Sequence, residues 1–211
     1  MEIRSIKCDN LEQLSDEELL EFMLNVPPHA IDKINWPEYP YKPDVRFHIA
    51  HSETSVAVMF EVKEDNVKAV SLDDNGPVWE DSCVEFFVKS PVRPGYYNFE
   101  INCIGTALGS YRESRTDDNG HFGPEIMSRI RRISSLPHEV VDIKSPGKSW
   151  HLIEIIPFDL LGCSVMPDSI EANFYKCGDK CETMHFLSWN PIDLPAPNFH
   201  CPQFFGKVNF K

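Results

Sequence analysis

Tyr97-Asn98-Phe99-Glu100-Ile101-Asn102 alternates strictly between apolar and polar side chains. In an extended chain this step of two sends successive side chains to opposite faces, and it decides the fold reading. Upstream, Cys83-Val84-Glu85-Phe86-Phe87 puts Val84 and Phe86 on one face and Glu85 on the other. If Lys89 to Tyr96 joins the two segments as a hairpin, Glu85, Asn98, Glu100 and Asn102 share one side of one sheet. The same step runs through Val45, Phe47 and Ile49, through Val56, Val58, Phe60 and Val62, and through Ala172 and Phe174 to the tail Val208 and Phe210. Trp150, Leu152, Ile153, Ile155 and Ile156 read as a strand buried on both sides at its end. About ten short strands separated by turn residues predict an all-β antiparallel sandwich, one domain over residues 1–211.

The exceptions to the β pattern are short. Residues 1–35 form a helical and extended lead-in. Within it Ser15-Asp16-Glu17-Glu18 is a capping box, followed by Leu19, Phe22 and Met23 on one face and ended by Pro27-Pro28. Trp36 to Pro43 is too rich in proline for a ladder and is expected to pack across the sandwich edge. Pro157 to Gly162 reads as a single helical turn closed by glycine. The loop from Glu113 to Glu125 is expected to be mobile.

Charge narrows the function. Asp and Glu number 33 against 20 Lys and Arg, a net charge of −13 over 211 residues. Such a surface repels phosphate backbones and anionic membranes, so neither nucleic acid nor membrane is expected as a partner. The one basic cluster, Arg129, Arg131 and Arg132, is too small to reverse this. Neutral ligands remain, and sugars are the largest class of these. The first residues hold no apolar core of signal-peptide length, so the chain as written is expected in the cytoplasm. Seven cysteines, an odd and scattered set, are expected to be free thiols rather than a disulfide framework.

The polar strand face carries the chemistry. A merely solvated face favours Lys, Thr and long charged residues, whereas two Asn inside one strand run against propensity. Planar amides and carboxylates at fixed positions suit paired sugar hydroxyls. Trp79, in a turn-rich loop before the Glu85 strand, and Trp189, in Ser188-Trp189-Asn190-Pro191, could each offer a flat plate to a pyranose. Trp36 and Trp150 read as packing residues.

At these residues the chain resembles the family-9 carbohydrate-binding modules, in a family-9-like branch found in gut bacteria. The resemblance rests on Val78-Trp79-Glu80-Asp81-Ser82-Cys83-Val84-Glu85-Phe86-Phe87, on Tyr97 to Asn102 with Ile104-Gly105-Thr106, on Ile156-Pro157-Phe158, on Ala172-Asn173-Phe174-Tyr175-Lys176 and on Phe186-Leu187-Ser188-Trp189-Asn190-Pro191. It implies a jelly-roll-like sandwich that clamps a terminal sugar between Trp79 and Trp189. It further implies hydroxyl contacts from Glu85 and Arg112, with Asn102, Asn173, Lys176 and Asn190 as additional contacts. The ligand would be a mono- or oligosaccharide, the role an accessory to glycan utilisation, and the partner a glycoside hydrolase. Members are usually secreted, which makes a periplasmic or extracellular location the alternative to the cytoplasm. No cofactor is implied beyond structural calcium, for which Asp73-Asp74-Asn75 could supply oxygens.

Other chemistries leave weaker traces. A glycoside hydrolase would need two carboxylates flanking a cleft, and Glu85, Glu100 and Glu154 could provide them. No nucleophile elbow, phosphate loop or dinucleotide fingerprint is present. His138-Glu139-Val140-Val141-Asp142 begins like a zinc-protease motif but lacks the second histidine and reads as a strand. Cys177, Cys181 and His185, with His200-Cys201 downstream, do not have standard zinc spacing, and chance clustering or an inducible disulfide fits them better. A heme-binding, cytochrome-like sandwich would need an axial pair such as Met59 and His48.

Overall fold

A computed structural model describes residues 1–117 and 120–211 of the chain. Its strands are β1 (Glu2–Arg4), β2 (Ile6–Lys7), β3 (His29–Ala30), β4 (Lys33–Ile34), β5 (Asp44–His51), β6 (Ser55–Ala69), β7 (Cys83–Lys89), β8 (Tyr96–Asn102), β9 (Ala107–Arg112), β10 (Arg131–Ser134), β11 (Val141–Pro157), β12 (Ser169–Cys177), β13 (Phe186–Ser188) and β14 (Gly206–Asn209). They form two sheets. The front sheet runs β1-β14-β12-β7-β8-β9, with β13 joined to β12 and β4 to β13; the back sheet runs β10-β11-β6-β5-β2, with β3 on β5. Most pairings are antiparallel; β1 with β14 and β2 with β5 are parallel.

Apolar alternation fixes which face of each strand is buried. Phe47, Phe60, Phe86, Phe99 and Phe174 point between the sheets, where Phe174 stacks on Phe47 (ring centroids 3.7 Å apart) and on Phe86 (5.1 Å). The β11 end buried on both sides is as expected. Leu152 and Ile156 enter the intersheet core, while Ile153 and Ile155 face out beneath helix α1 (Asp16–Leu24). That helix has the anticipated capping box: Ser15 Oγ accepts the Glu18 amide while the Glu18 carboxylate accepts the Ser15 amide. Its Leu19 and Met23 cover Met59 and Ala57 of β6, which explains why β6 is apolar on both sides there. The single turn at Phe158–Leu161 ends at Gly162, whose φ of 80° is a left-handed value that glycine adopts without strain.

A third apolar layer covers part of the outer face of the front sheet. Trp36, Phe87, Tyr96, Tyr175, Ile192 and Phe199 pack there, and Trp36 Nε1 donates to the Leu194 carbonyl (2.8 Å). The proline-rich stretch around Trp36 therefore lies across the sheet face, rather than only its edge, and meets a second proline-rich segment, Pro191–Pro202, over the same strands. His138 to Val140 precede β11 instead of forming part of it, so only the end of that segment is a strand. The Glu113–Glu125 loop passes through Asp118 and Asn119, which lie outside the described residues.

Candidate functional site

β7 and β8 form the expected hairpin. Its register places Glu85 opposite Glu100, Phe87 opposite Asn98 and Cys83 opposite Asn102. β12 adds Tyr175 beside Glu85 and Cys177 beside Cys83, and β9 adds Leu108 beside Glu100 and Ser110 beside Asn98. All these residues belong to the outer face of the front sheet. Where the third layer stops, a half-open cavity of about 380 Å³ remains, with Glu85 and Glu100 in its lining together with Trp79, Arg112, Arg115, His121, Asp179, Phe186, Phe199 and His200.

The two carboxyls are the electrostatic centre of this cavity. Both are almost fully buried, and among the described residues neither makes an ion pair. Directly opposed residues on adjacent strands bring their Cβ atoms to roughly 5 Å, so the two groups repel when both are charged. Burial, then the neighbouring Glu100, pushes the Glu85 carboxyl well above the ordinary carboxylate range. Burial raises Glu100 to about 7, against the stabilising Asn98 amide and Arg112. At neutral pH the pair holds a proton and can both donate to and accept from hydroxyls.

A hydrogen-bond chain positions Glu100. Arg112 Nε donates to Ser110 Oγ (3.2 Å), Ser110 Oγ donates to Asn98 Oδ1, and the Asn98 amide donates to Glu100 Oε1 (2.9 Å). Asn98, fully buried, thus orients the carboxyl from behind. Glu85 accepts from Cys177 Sγ (3.1 Å). Trp79, on a single turn Val78–Glu80, keeps 36% of its surface exposed, and its carbonyl accepts the Asp179 amide, tying two cavity loops together. Burial and Glu80 raise Asp179 to about 6, whereas burial, Arg112 and Arg115 lower His200 to about 4.

Several expected contact residues lie elsewhere. Trp189 is 1% exposed and packs between the sheets, edge-on to Phe47 and Phe174 at 5.8 and 5.6 Å, so it presents no plate to a ligand. Lys176 points into the same interior. Its Nζ lies 3.0 Å from the Glu64 carboxylate and donates to His185 Nε2 and the Cys177 carbonyl. Burial works against its charge, but Glu64 together with the neighbouring Cys181 and Cys177 more than offsets this and raises its pKa. Asn102 is fully buried; its side chain bridges Asp81, the Ser71 carbonyl and the amides of Ile104 and Thr106, which anchors the loop carrying Trp79. Asn173 and Asn190 bind each other's neighbourhood and the Phe204 carbonyl, securing the C-terminal segment. Of the ten expected residues, the cavity brings together Trp79, Glu85, Glu100 and Arg112.

The metal and heme expectations meet committed side chains. Asp74 is held by the Arg132 guanidinium and by the Ala107 amide, and Asn75 by Gly109 and Phe122, so Asp73-Asp74-Asn75 offers a calcium ion a carboxylate already neutralised by a cation. Arg129 and Arg131 are likewise paired, with Asp159 and Asp16. Both ring nitrogens of His48 face oxygen acceptors, Val26 O and Glu61, and its cross-strand neighbour Met59 lies under α1, an arrangement with no room for heme ligation. Cys177 and His185 point to opposite faces of the front sheet, so they do not converge on one ion. All seven cysteines are free and buried.

Two packed sheets with an aromatic-edged pocket lined by buried carboxyls on one outer face define a β-sandwich with a small-ligand cavity. Residues 14–210 match the family model for carbohydrate-binding family 9, and the chain belongs to that family. A crystallised Bacteroides uniformis protein, provisionally described as carbohydrate-binding, is similar over all of this chain and 99% of its own, at 37% identity and a TM-score of 0.93. A family-9 module from Caldicellulosiruptor kristjanssonii shares the fold at 12% identity, with TM-scores of 0.64 in its glucose complex and 0.63 in its cellotriose complex; this chain is covered fully, and 96% and 94% of those chains. No curated protein matches the chain.

Proposed function

We propose that the cavity between Trp79 and the Pro191–Pro202 segment binds the terminal unit of a neutral mono- or oligosaccharide, without turning it over. The observation that carries this reading is the Glu85–Glu100 pair, buried yet lining an open cavity beside an exposed indole. Trp79 supplies the apolar plate for a pyranose, and the edge formed by Phe186 and Phe199 replaces the second tryptophan of the expected clamp. Glu85, Glu100 and Arg112 select hydroxyls. The glucose and cellotriose bound by the Caldicellulosiruptor module make β-glucosides the first ligands to test. The biological role is an accessory one in glycan utilisation, beside a separate hydrolase.

Calorimetry with glucose and cello-oligosaccharides tests the site. The Trp79→Ala variant is expected to lose ~2 kcal/mol of binding, about 30-fold in affinity, while its melting temperature stays close to that of the parent protein. Unchanged affinity in that variant for every bound sugar would remove Trp79 from the site. The raised pKa values are also what a hydrolase acid requires. Glu85 and Glu100, however, stand side by side on one sheet, whereas a hydrolase pair flanks the scissile bond. No release of chromophore from aryl glycosides is therefore expected; turnover that disappears in Glu100→Gln would replace binding by catalysis.

A further inference from the structure

Cys83 and Cys177 are direct neighbours across the β7–β12 ladder, on the same outer face as Glu85. Their sulfurs and a Glu85 carboxylate oxygen all lie within 4.8 Å of one another. That spacing lets three donors reach a single ion, since zinc–thiolate and zinc–carboxylate bonds are about 2.0–2.3 Å long. The donor set itself discriminates. Two soft thiolates with one carboxylate suit a d¹⁰ divalent ion and disfavour calcium or magnesium, which take oxygen ligands. Glu85 and Cys177 line the open cavity, which supplies an entry path, while Cys83 closes the site from behind. Charge points the same way: among the described residues no cation pairs with Glu85, and its one hydrogen-bond donor is the weak Cys177 thiol.

We infer that Cys83, Glu85 and Cys177 form a three-ligand site for a thiophilic divalent ion of the zinc type, its fourth position open to the cavity. Binding deprotonates both thiols, releases their protons to solvent and displaces the proton of the Glu85–Glu100 pair from Glu85, whose carboxylate becomes the third ligand. The opposed strands hold the ligands in place before the ion arrives. This inference does not require the cavity to bind sugar, and its test uses no sugar.

The experiment takes the full chain, reduced and stripped of metal, and adds Cd²⁺ as a spectroscopic probe and Zn²⁺ by competition with a coloured chelator. One equivalent is expected to bind, with a thiolate-to-cadmium charge-transfer band and proton release. Cys83→Ser and Cys177→Ser should each weaken binding at least ~100-fold, and Glu85→Gln ~10-fold. In the unsubstituted chain, bound Zn²⁺ should protect Cys83 and Cys177 from alkylation under partially denaturing conditions, a readout that stands even if a variant fails to fold. Binding weaker than ~1 mM, protection that falls on Cys163 or Cys201 instead, or affinity unchanged by Cys83→Ser would overturn the site.

Discussion

Trp189→Ala is expected to destabilise the protein by ~3–5 kcal/mol, the usual cost of emptying a large aromatic site in a close-packed core. Trp189 fills the space between the sheets against Phe47 and Phe174, and its indole also closes on the backbone of β14. A Cβ added at Gly206 would lie 2.6 Å from the ring. Alanine leaves a cavity that the two rigid aromatic neighbours cannot collapse into. For a chain of this length a loss of that size lowers the melting temperature by about 10 °C or more. Gly206→Ala should destabilise in the opposite manner, by overpacking the same contact. Thermal melts of both variants beside Trp79→Ala make the comparison. If Trp189→Ala melts like the parent protein but loses sugar affinity, Trp189 is a binding plate and its buried position is wrong.

The information that Trp189 faces inward was present in the period-two rule. The Trp189 amide donates to the Phe174 carbonyl, continuing the β12–β13 ladder one residue past Ser188. Leu187 and Trp189 therefore share the inward parity of Phe174, and Ser188 takes the other face. The proline at 191 suggests a loop, but the ladder ends after the tryptophan rather than before it. Parity likewise sends Lys176 inward with Ala172 and Phe174, into a buried ion pair with a strand more than a hundred residues away; nothing in the local sequence announces Glu64 as its partner. The sheet face bearing Glu85, Asn98, Glu100 and Asn102 was readable because β7 and β8 are joined by a short hairpin, so register follows from local chain. That part of this face is covered was not readable. The covering segment, Pro191–Pro202, forms almost no ladder and has no period, and it brings Phe199 and His200 to the cavity from the far end of the chain. Its one signal is negative: four prolines among aromatics cannot join a sheet and must pack on something.

Glu100→Gln is expected to stabilise the protein relative to its parent as pH rises, while weakening sugar binding. In the folded chain the Glu100 carboxyl titrates at about 7, against 4.5 for the free side chain, because burial disfavours its charge. A folded state with the higher pKa binds the proton more tightly than the unfolded state. Its stabilising contribution is therefore complete below pH 4.5 and is lost as pH rises through 7. The shift corresponds to ~3 kcal/mol. His200 runs in the other sense: lowered to about 4 from 6.5 by burial, Arg112 and Arg115, it contributes stability above pH 6.5 that is lost as pH falls through 4. Between those limits the two opposing slopes nearly cancel, so the parent protein should show little pH dependence from 4.5 to 6.5 on their account. Glutamine removes one slope and exposes the other. The stability gap between variant and parent, whatever its value at pH 4.5, should move by ~3 kcal/mol in favour of the variant by pH 7.5. Taking the difference between the two proteins cancels groups that do not sense Glu100, such as Glu154, which burial also raises, whereas Glu85, raised in part by Glu100, moves the gap in the same direction. Denaturant titrations at the two pH values measure it. A gap that stays constant would mean Glu100 is ionised and solvated in the folded chain, and the carboxyl pair would then be an ordinary surface feature rather than a strained site kept for its ligand.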